Sequence, residues 1–98
     1  MDPERLSDIQ IADVVIATAG REKGKLFYVL NVEQQYLLLG NGKDRTLEKP
    51  KRKKRKHARL VLRSETRVAA KLRAGDKVLN SELRRDLTEF GQEMQGTT

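Results

Sequence analysis

Along this chain the spacing of hydrophobic positions changes once, from a short strand-like pattern to a helical one. Ile9 and Ile11 alternate with polar neighbours and lead into Val14-Val15-Ile16-Ala17-Thr18-Ala19, a largely β-branched run bounded by Gly20. That composition predicts a strand. Lys25 to Val32 predicts a second, rich in aromatic and β-branched residues, and Gly20-Arg-Glu-Lys-Gly24 between them has the glycines of a hairpin connection. Glu33-Gln34-Gln35 turns the chain into Tyr36-Leu37-Leu38-Leu39, a third short strand. Asn41-Gly42 is a strong hairpin signal, which predicts a fourth strand at Arg45-Thr46-Leu47-Glu48, closed by Pro50. Leu60-Val61-Leu62 supplies a fifth. Short strands joined by tight turns over about fifty residues predict a mainly β protein, a small barrel rather than an open sheet. The second and third strands are apolar on both faces, so something must cover the barrel from outside.

In the C-terminal third the period lengthens. Leu79, Leu83, Leu87 and Phe90 form the stripe of an amphipathic helix over about 80–90. Asn80 or Ser81 is placed to cap it, Glu82 lies in its first turn, and Gly91 ends it. The stripe is expected to dock on the barrel, a partner-binding helix being the other reading. The expected organisation is a short turn or disorder at 1–8, a barrel over 9–63, a C-terminal extension over 64–91 and a frayed tail over 92–98.

Composition narrows the possibilities. With 98 residues, 37% of them hydrophobic and 36% charged, one compact core is all the chain can build. The absence of cysteine excludes disulfides, thiolate metal sites and cysteine nucleophiles. The opening Met-Asp-Pro-Glu-Arg is unlike a secretory signal, and the longest apolar stretch, Val14 to Ala19, is too short to cross a bilayer. A soluble cytoplasmic protein is expected.

Charge adds the functional clue. The segment Lys49-Pro-Lys51-Arg52-Lys53-Lys54-Arg55-Lys56-His57-Ala-Arg59 holds eight of the 21 basic side chains and none of the 14 acidic ones. The rest of the chain therefore carries 13 basic against 14 acidic residues, close to neutrality. Charge concentrated in this way suits a polyanion, since phosphate neutralisation dominates nucleic-acid affinity. A solvated disordered run and a nuclear-import tag are rival readings. A connecting strap between the fourth and fifth strands disfavours the tag, which works best in a free tail.

The hairpin carries a second clue. Val14-Val-Ile-Ala-Thr-Ala-Gly20-Arg21-Glu-Lys23-Gly24-Lys25, followed by an apolar strand, resembles a KOW motif. Gly24 lets the backbone turn with positive φ and leaves a bare N–H able to approach a phosphate, while Arg21, Lys23 and Lys25 project from a rigid turn. From about Ile11 through His57 the chain is similar to KOW-domain ribosomal proteins of the archaeal and eukaryotic large subunit, and closer still to short KOW-domain RNA-binding proteins of Gram-positive bacteria. Val14, Val15, Gly20, Arg21, Lys23, Gly24, Lys25, Leu39, Gly42, Lys49-Pro50-Lys51 and Lys56-His57 carry the likeness. Asn80-Ser-Glu-Leu-Arg84 also looks like the closing helix of the bacterial proteins. Leu26-Phe27 stand where KOW domains of transcription-elongation factors usually have a further glycine, which favours the ribosomal branch.

The resemblance implies an SH3-like barrel that binds RNA, foremost ribosomal RNA, and is monomeric off the ribosome. The RNA-binding residues it points to are Gly20, Arg21, Lys23, Gly24 and Lys25 of the hairpin, with Lys49, Lys51, Arg52, Lys53, Lys54, Arg55, Lys56, His57 and Arg59 of the strap. A protein-interaction module and a transcription-elongation accessory factor are the alternatives. Phe27 and Tyr28 must face opposite ways, and either Tyr28 or Tyr36 could stack on a base, although packing is the preferred role. His57, the only histidine, sits among cations and suits phosphate contact better than metal ligation. Asp13, Glu22 and Asp44 each have a basic neighbour and read as solubilising residues, and no Gly-Lys-Ser/Thr phosphate cradle occurs. No enzymatic activity, cofactor, metal, small-molecule substrate or membrane partner is expected.

Overall fold

Neighbouring residues of an extended chain face opposite ways, and the first two strands are apolar in both directions, so each strand serves two cores at once. In a computed structural model that describes residues 9–95, the strands are β1 (Asp13–Ala17), β2 (Leu26–Glu33), β3 (Tyr36–Gly40), β4 (Lys51–Lys54) and β5 (Ala58–Arg63). Two helices follow, α1 (Arg67–Ala74) and α2 (Asn80–Gln95). All neighbouring strands are antiparallel in the order β4-β3-β2-β1-β5. The mainly β, five-stranded fold with a C-terminal helix is as expected.

The sheet is strongly curled, and chain length requires it. β4 and β5 are its two outermost strands, yet a single 3-10 turn, Arg55–His57, joins them. In a flat sheet they would lie roughly 19 Å apart, at about 4.8 Å per strand. Three residues of 3-10 helix rise only about 6 Å. Register shifts between Val14 and Val15 against β5, and between Val29 and Asn31 against β3, add the local twist that bending needs. Just past the Ala17–Ala58 pair of β1 and β5, the Thr18 N–H donates to the His57 carbonyl at 2.9 Å.

Several expectations are corrected. Residues 45–48 form no strand: the Asn41 side-chain oxygen accepts from the N–H groups of Lys43 and Arg45, both at 3.0 Å, and holds the segment in a loop. The fourth strand is instead the Lys51–Lys54 part of the basic run, hydrogen-bonded to β3 with Lys53 opposite Leu37 and Lys51 opposite Leu39. Lysine is a weak strand former, but on a sheet edge its charge discourages pairing with other chains. A helix at 67–74 was not anticipated, although Thr66 caps it through Oγ1, accepting from Ala69 N at 3.1 Å, and Gly75 ends it in the left-handed region. Gly91 does not stop α2, so residues 92–95 are helical rather than frayed. The expectations for residues 1–8 and 96–98 fall outside the described residues.

Inside the curl, Val15, Ala17, Phe27, Val29, Leu37, Leu39, Ile9 and Ala58 form one core. Outside it, Val14 and Tyr28 meet Val68, Ala69, Val78, Leu83 and Leu87 of the helical layer. The stripe Leu83/Leu87/Phe90 therefore docks on the sheet, and Leu79, 53% exposed, is its one member left in solvent. Burying Leu83 alone stabilises the docked helix by roughly 1.5–3 kcal/mol. At the start of α2, Glu82 accepts from the Leu79 N–H at 2.9 Å, half of a capping box. Asn80 does not cap: its oxygen accepts from Leu47 N at 2.8 Å and its nitrogen donates to Glu48 at 3.0 Å, clamping the 41–50 loop to the helix. Gly42 adopts φ 75° against this clamp, where a Cβ would collide with the Asn80 carbonyl oxygen.

A buried polar network joins the two layers. The Tyr28 hydroxyl donates to Asp86 Oδ2 at 2.7 Å, and the Thr66 hydroxyl donates to the same oxygen at 2.7 Å. Ser64 Oγ lies 2.9 Å from the Tyr28 oxygen. Desolvation pushes the Tyr28 phenol up to about 12, so it remains a donor throughout the neutral range. Tyr28→Phe is expected to cost about 1–2 kcal/mol, because Asp86 loses one of two donors while still buried. Chemical denaturation should show the loss as a lower midpoint at unchanged slope.

Candidate nucleic-acid interface

Strand pairing sorts the basic run by side. Lys51 and Lys53 share the face of Leu39 and Leu37, whereas Arg52 and Lys54 share the outer face of Leu38 and Tyr36. Lys53 is therefore turned inward, 7% exposed, with Nζ 3.7 Å from Glu22 Oε1. It is unavailable to a phosphate, which corrects its place among the expected contacts. Arg52 donates from Nε to Glu33 at 2.9 Å and lies over the Tyr36 ring. Arg55 Nε donates to the Gln34 carbonyl at 2.8 Å, tying the 3-10 turn to the β2–β3 turn. Lys49, Lys54, Lys56 and Arg59 are exposed, and Lys51 and His57 are half-buried.

The β1–β2 turn is equally ordered. Its backbone closes with Gly24 N donating to Ala17 O at 2.8 Å and Lys25 N to Glu22 O at 2.9 Å. Gly24 takes φ 87°, the left-handed conformation expected there, and Gly20 shares it at 79°. The Gly24 N–H is thus spent inside the hairpin, contrary to the expectation that it is bare for a phosphate. Arg21 and Lys23 are exposed, and Lys25 pairs with Asp44 at 3.0 Å. Hydrogen bonds from Asn41 and then Lys25 hold the Asp44 carboxyl down at about 2. Half-exposed on both sides, this pair adds little stability.

Glu22, expected to be a solubilising residue, is instead the internal hub of this region. Its carboxylate is buried, accepts from Arg45 Nη2 at 2.6 Å and faces Lys53. The Arg45 hydrogen bond dominates in holding its pKa below the ordinary 4.5, opposed by desolvation and aided by the charges of Arg45, Lys51 and Lys53. Asp13 is also buried, paired with Arg63 at 3.0 Å. The three carboxylates Asp13, Glu22 and Asp44 thus have separate cationic partners. Pairings 19 to 50 residues apart leave no local sequence signal, so the burial of Glu22 and Asp13 is not legible from their neighbours in the chain.

The Lys53–Glu22 contact and the Thr18–His57 hydrogen bond set the hairpin turn beside the basic corner. Two cationic segments separated in sequence are brought together, with Arg21 and Lys23 contributed by one and Lys54, Lys56 and Arg59 by the other. Among the described residues, no three His, Cys, Asp or Glu side chains gather as a metal site, and no helix is long and apolar enough to cross a membrane. No protein-family model matches the chain, and no curated protein matches it.

Glu22→Gln is expected to cost about 2 kcal/mol at neutral pH, short of a fully buried pair because Arg45 is partly solvated. The lowered pKa means that the carboxylate stabilises the fold above its ordinary titration near 4.5 and ceases to do so as pH falls through the depressed value. Urea midpoints of wild type and variant should therefore differ at pH 7 and converge at acid pH.

Proposed function

We propose that this chain is a cytoplasmic, non-enzymatic RNA-binding protein that associates with the ribosome and contacts ribosomal RNA through the β1–β2 hairpin and the basic corner. The observation that carries the reading is electrostatic: six exposed cations, Arg21, Lys23, Lys49, Lys54, Lys56 and Arg59, have no carboxylate partner among the described residues, in a chain otherwise near neutrality. Held on a hairpin and a strand–turn–strand corner, these charges meet phosphates at defined spacings without the ordering cost of a loose tail. Both helices are packed on the sheet, which suits irregular folded RNA better than insertion into a DNA groove. The KOW resemblance supplies the preference for ribosomal RNA. The protein-interaction alternative loses its main surface, because Leu83, Leu87 and Phe90 pack within the molecule.

Six phosphate contacts at ~0.7–0.9 each give an expected slope of log K against log[salt] of about −4 to −5. Replacing Lys54, Lys56 and Arg59 together by Gln should make the slope shallower by about 2 and weaken binding to all RNAs alike. Lys53→Gln should instead lower stability and leave the slope unchanged. Titrations with ribosomal RNA fragments at several salt concentrations separate these outcomes, and a wild-type slope near −1 would exclude the mechanism. Co-sedimentation with ribosomes, released by RNase or high salt, tests the ribosomal assignment; copurification with RNA polymerase instead would support the transcription alternative.

A further inference from the structure

The outer face of β3 and β4 carries an arrangement that phosphate binding does not use. The Arg52 guanidinium carbon lies 3.7 Å from the Tyr36 ring centroid, and Glu33 accepts from Arg52 Nε at 2.9 Å. One face of the guanidinium thus rests on the ring while the carboxylate fixes its edge. The Arg52 side chain is nevertheless 58% exposed, which leaves its other face to solvent. Beside it lies a cleft of ≈470 Å³, lined by Glu33, Gln34, Gln35, Tyr36 and Arg52. A second cleft of ≈240 Å³ shares Gln34 and Gln35 with the first and continues along Lys54, Arg55 and Lys56.

We infer that this is a base-binding site, in which one unpaired nucleobase stacks on the open face of Arg52 and its flanking phosphates lie along Lys54 and Lys56. The inference rests on the RNA-binding reading and specifies what part of an RNA that surface takes. Charge decides which group goes where. Glu33 repels a phosphate from the first cleft and tolerates a neutral ring, whereas the second cleft has cations and no acid. A guanidinium plane is a good stacking surface for an unpaired base. The two Gln amides at the β2–β3 turn offer donors and acceptors to its edge. Because Arg52 is already held by Tyr36 and Glu33, little rotamer freedom is lost when the base arrives.

The consequence is a preference for unpaired nucleotides at equal phosphate number, since a paired base cannot reach the cleft. The test compares a hairpin RNA carrying 2-aminopurine in its loop with a blunt duplex of the same phosphate count, titrated against wild type and Arg52→Lys. Lysine keeps the charge and can still meet Glu33, but it has no flat face. Wild type should bind the hairpin about tenfold more tightly than the duplex and quench the 2-aminopurine. Arg52→Lys should lose both effects and keep its duplex affinity. The double variant Gln34→Ala/Gln35→Ala, confined to an exposed turn, should reduce the hairpin preference with the sheet undisturbed. Equal wild-type affinity for hairpin and duplex, or an Arg52→Lys protein that keeps preference and quenching, overturns the base site while RNA binding stands. Failure to bind either RNA overturns both readings.

Discussion

Glu22 turns its carboxylate inward from the β1–β2 turn to meet Arg45 and Lys53, and the form of the cationic side follows from that contact. Eight basic residues within eleven positions repel one another and would favour an extended, solvated segment. Docking part of that segment as an edge strand requires an acceptor for the lysine that faces inward. Glu22 supplies it and at the same time fastens the 41–50 loop through Arg45. One side chain thereby joins the hairpin, the loop and the basic strand. The arrangement is strong only while the carboxylate is ionised, because the burial of a lone lysine is costly.

The second constraint is that β1 and β2 are apolar on both faces. The curled sheet buries only the inner set, Val15, Phe27 and Val29, on its concave side, so Val14 and Tyr28 need a second layer. The two helices provide it, and Asp86 decides how they sit. Its carboxylate collects hydroxyl donors from Tyr28 on β2 and from Thr66 at the cap of α1. Apolar packing alone would allow the helices to slide, whereas a buried carboxylate satisfied by two directed donors permits one placement.

The proposed function rests on the same partition of side chains. Strand alternation divides the basic run into residues that build the protein and residues that face solvent. Lys53 is absorbed by Glu22, Arg52 by Tyr36 and Glu33, and the cations that remain exposed lie beside those of the hairpin turn. The surface is thus more than a sum of charges. Its exposed lysines and arginines are suited to phosphates, and the Arg52 guanidinium, stacked on Tyr36, is suited to a base.

Much of this was legible along the chain. β-branched runs, turn glycines and the Leu stripe identified β1, β2, β3, β5 and α2, because those signals depend on neighbours within a few residues. The total charge and its concentration at 49–59 were also matters of sequence alone. Residues 45–48 looked like a strand and were not, since Asn41 and Asn80 hold them in a loop through side-chain hydrogen bonds, one of them 33 residues distant. The basic run looked like a strap, yet its Lys51–Lys54 segment is β4, since pairing with Leu37 and Leu39 outweighs the poor strand propensity of lysine. The chain by itself determined which residues are apolar, which are charged and where it turns. Tertiary structure alone decided which cations are neutralised, because ion pairing depends on distance in space, and the curl of the sheet sets that distance.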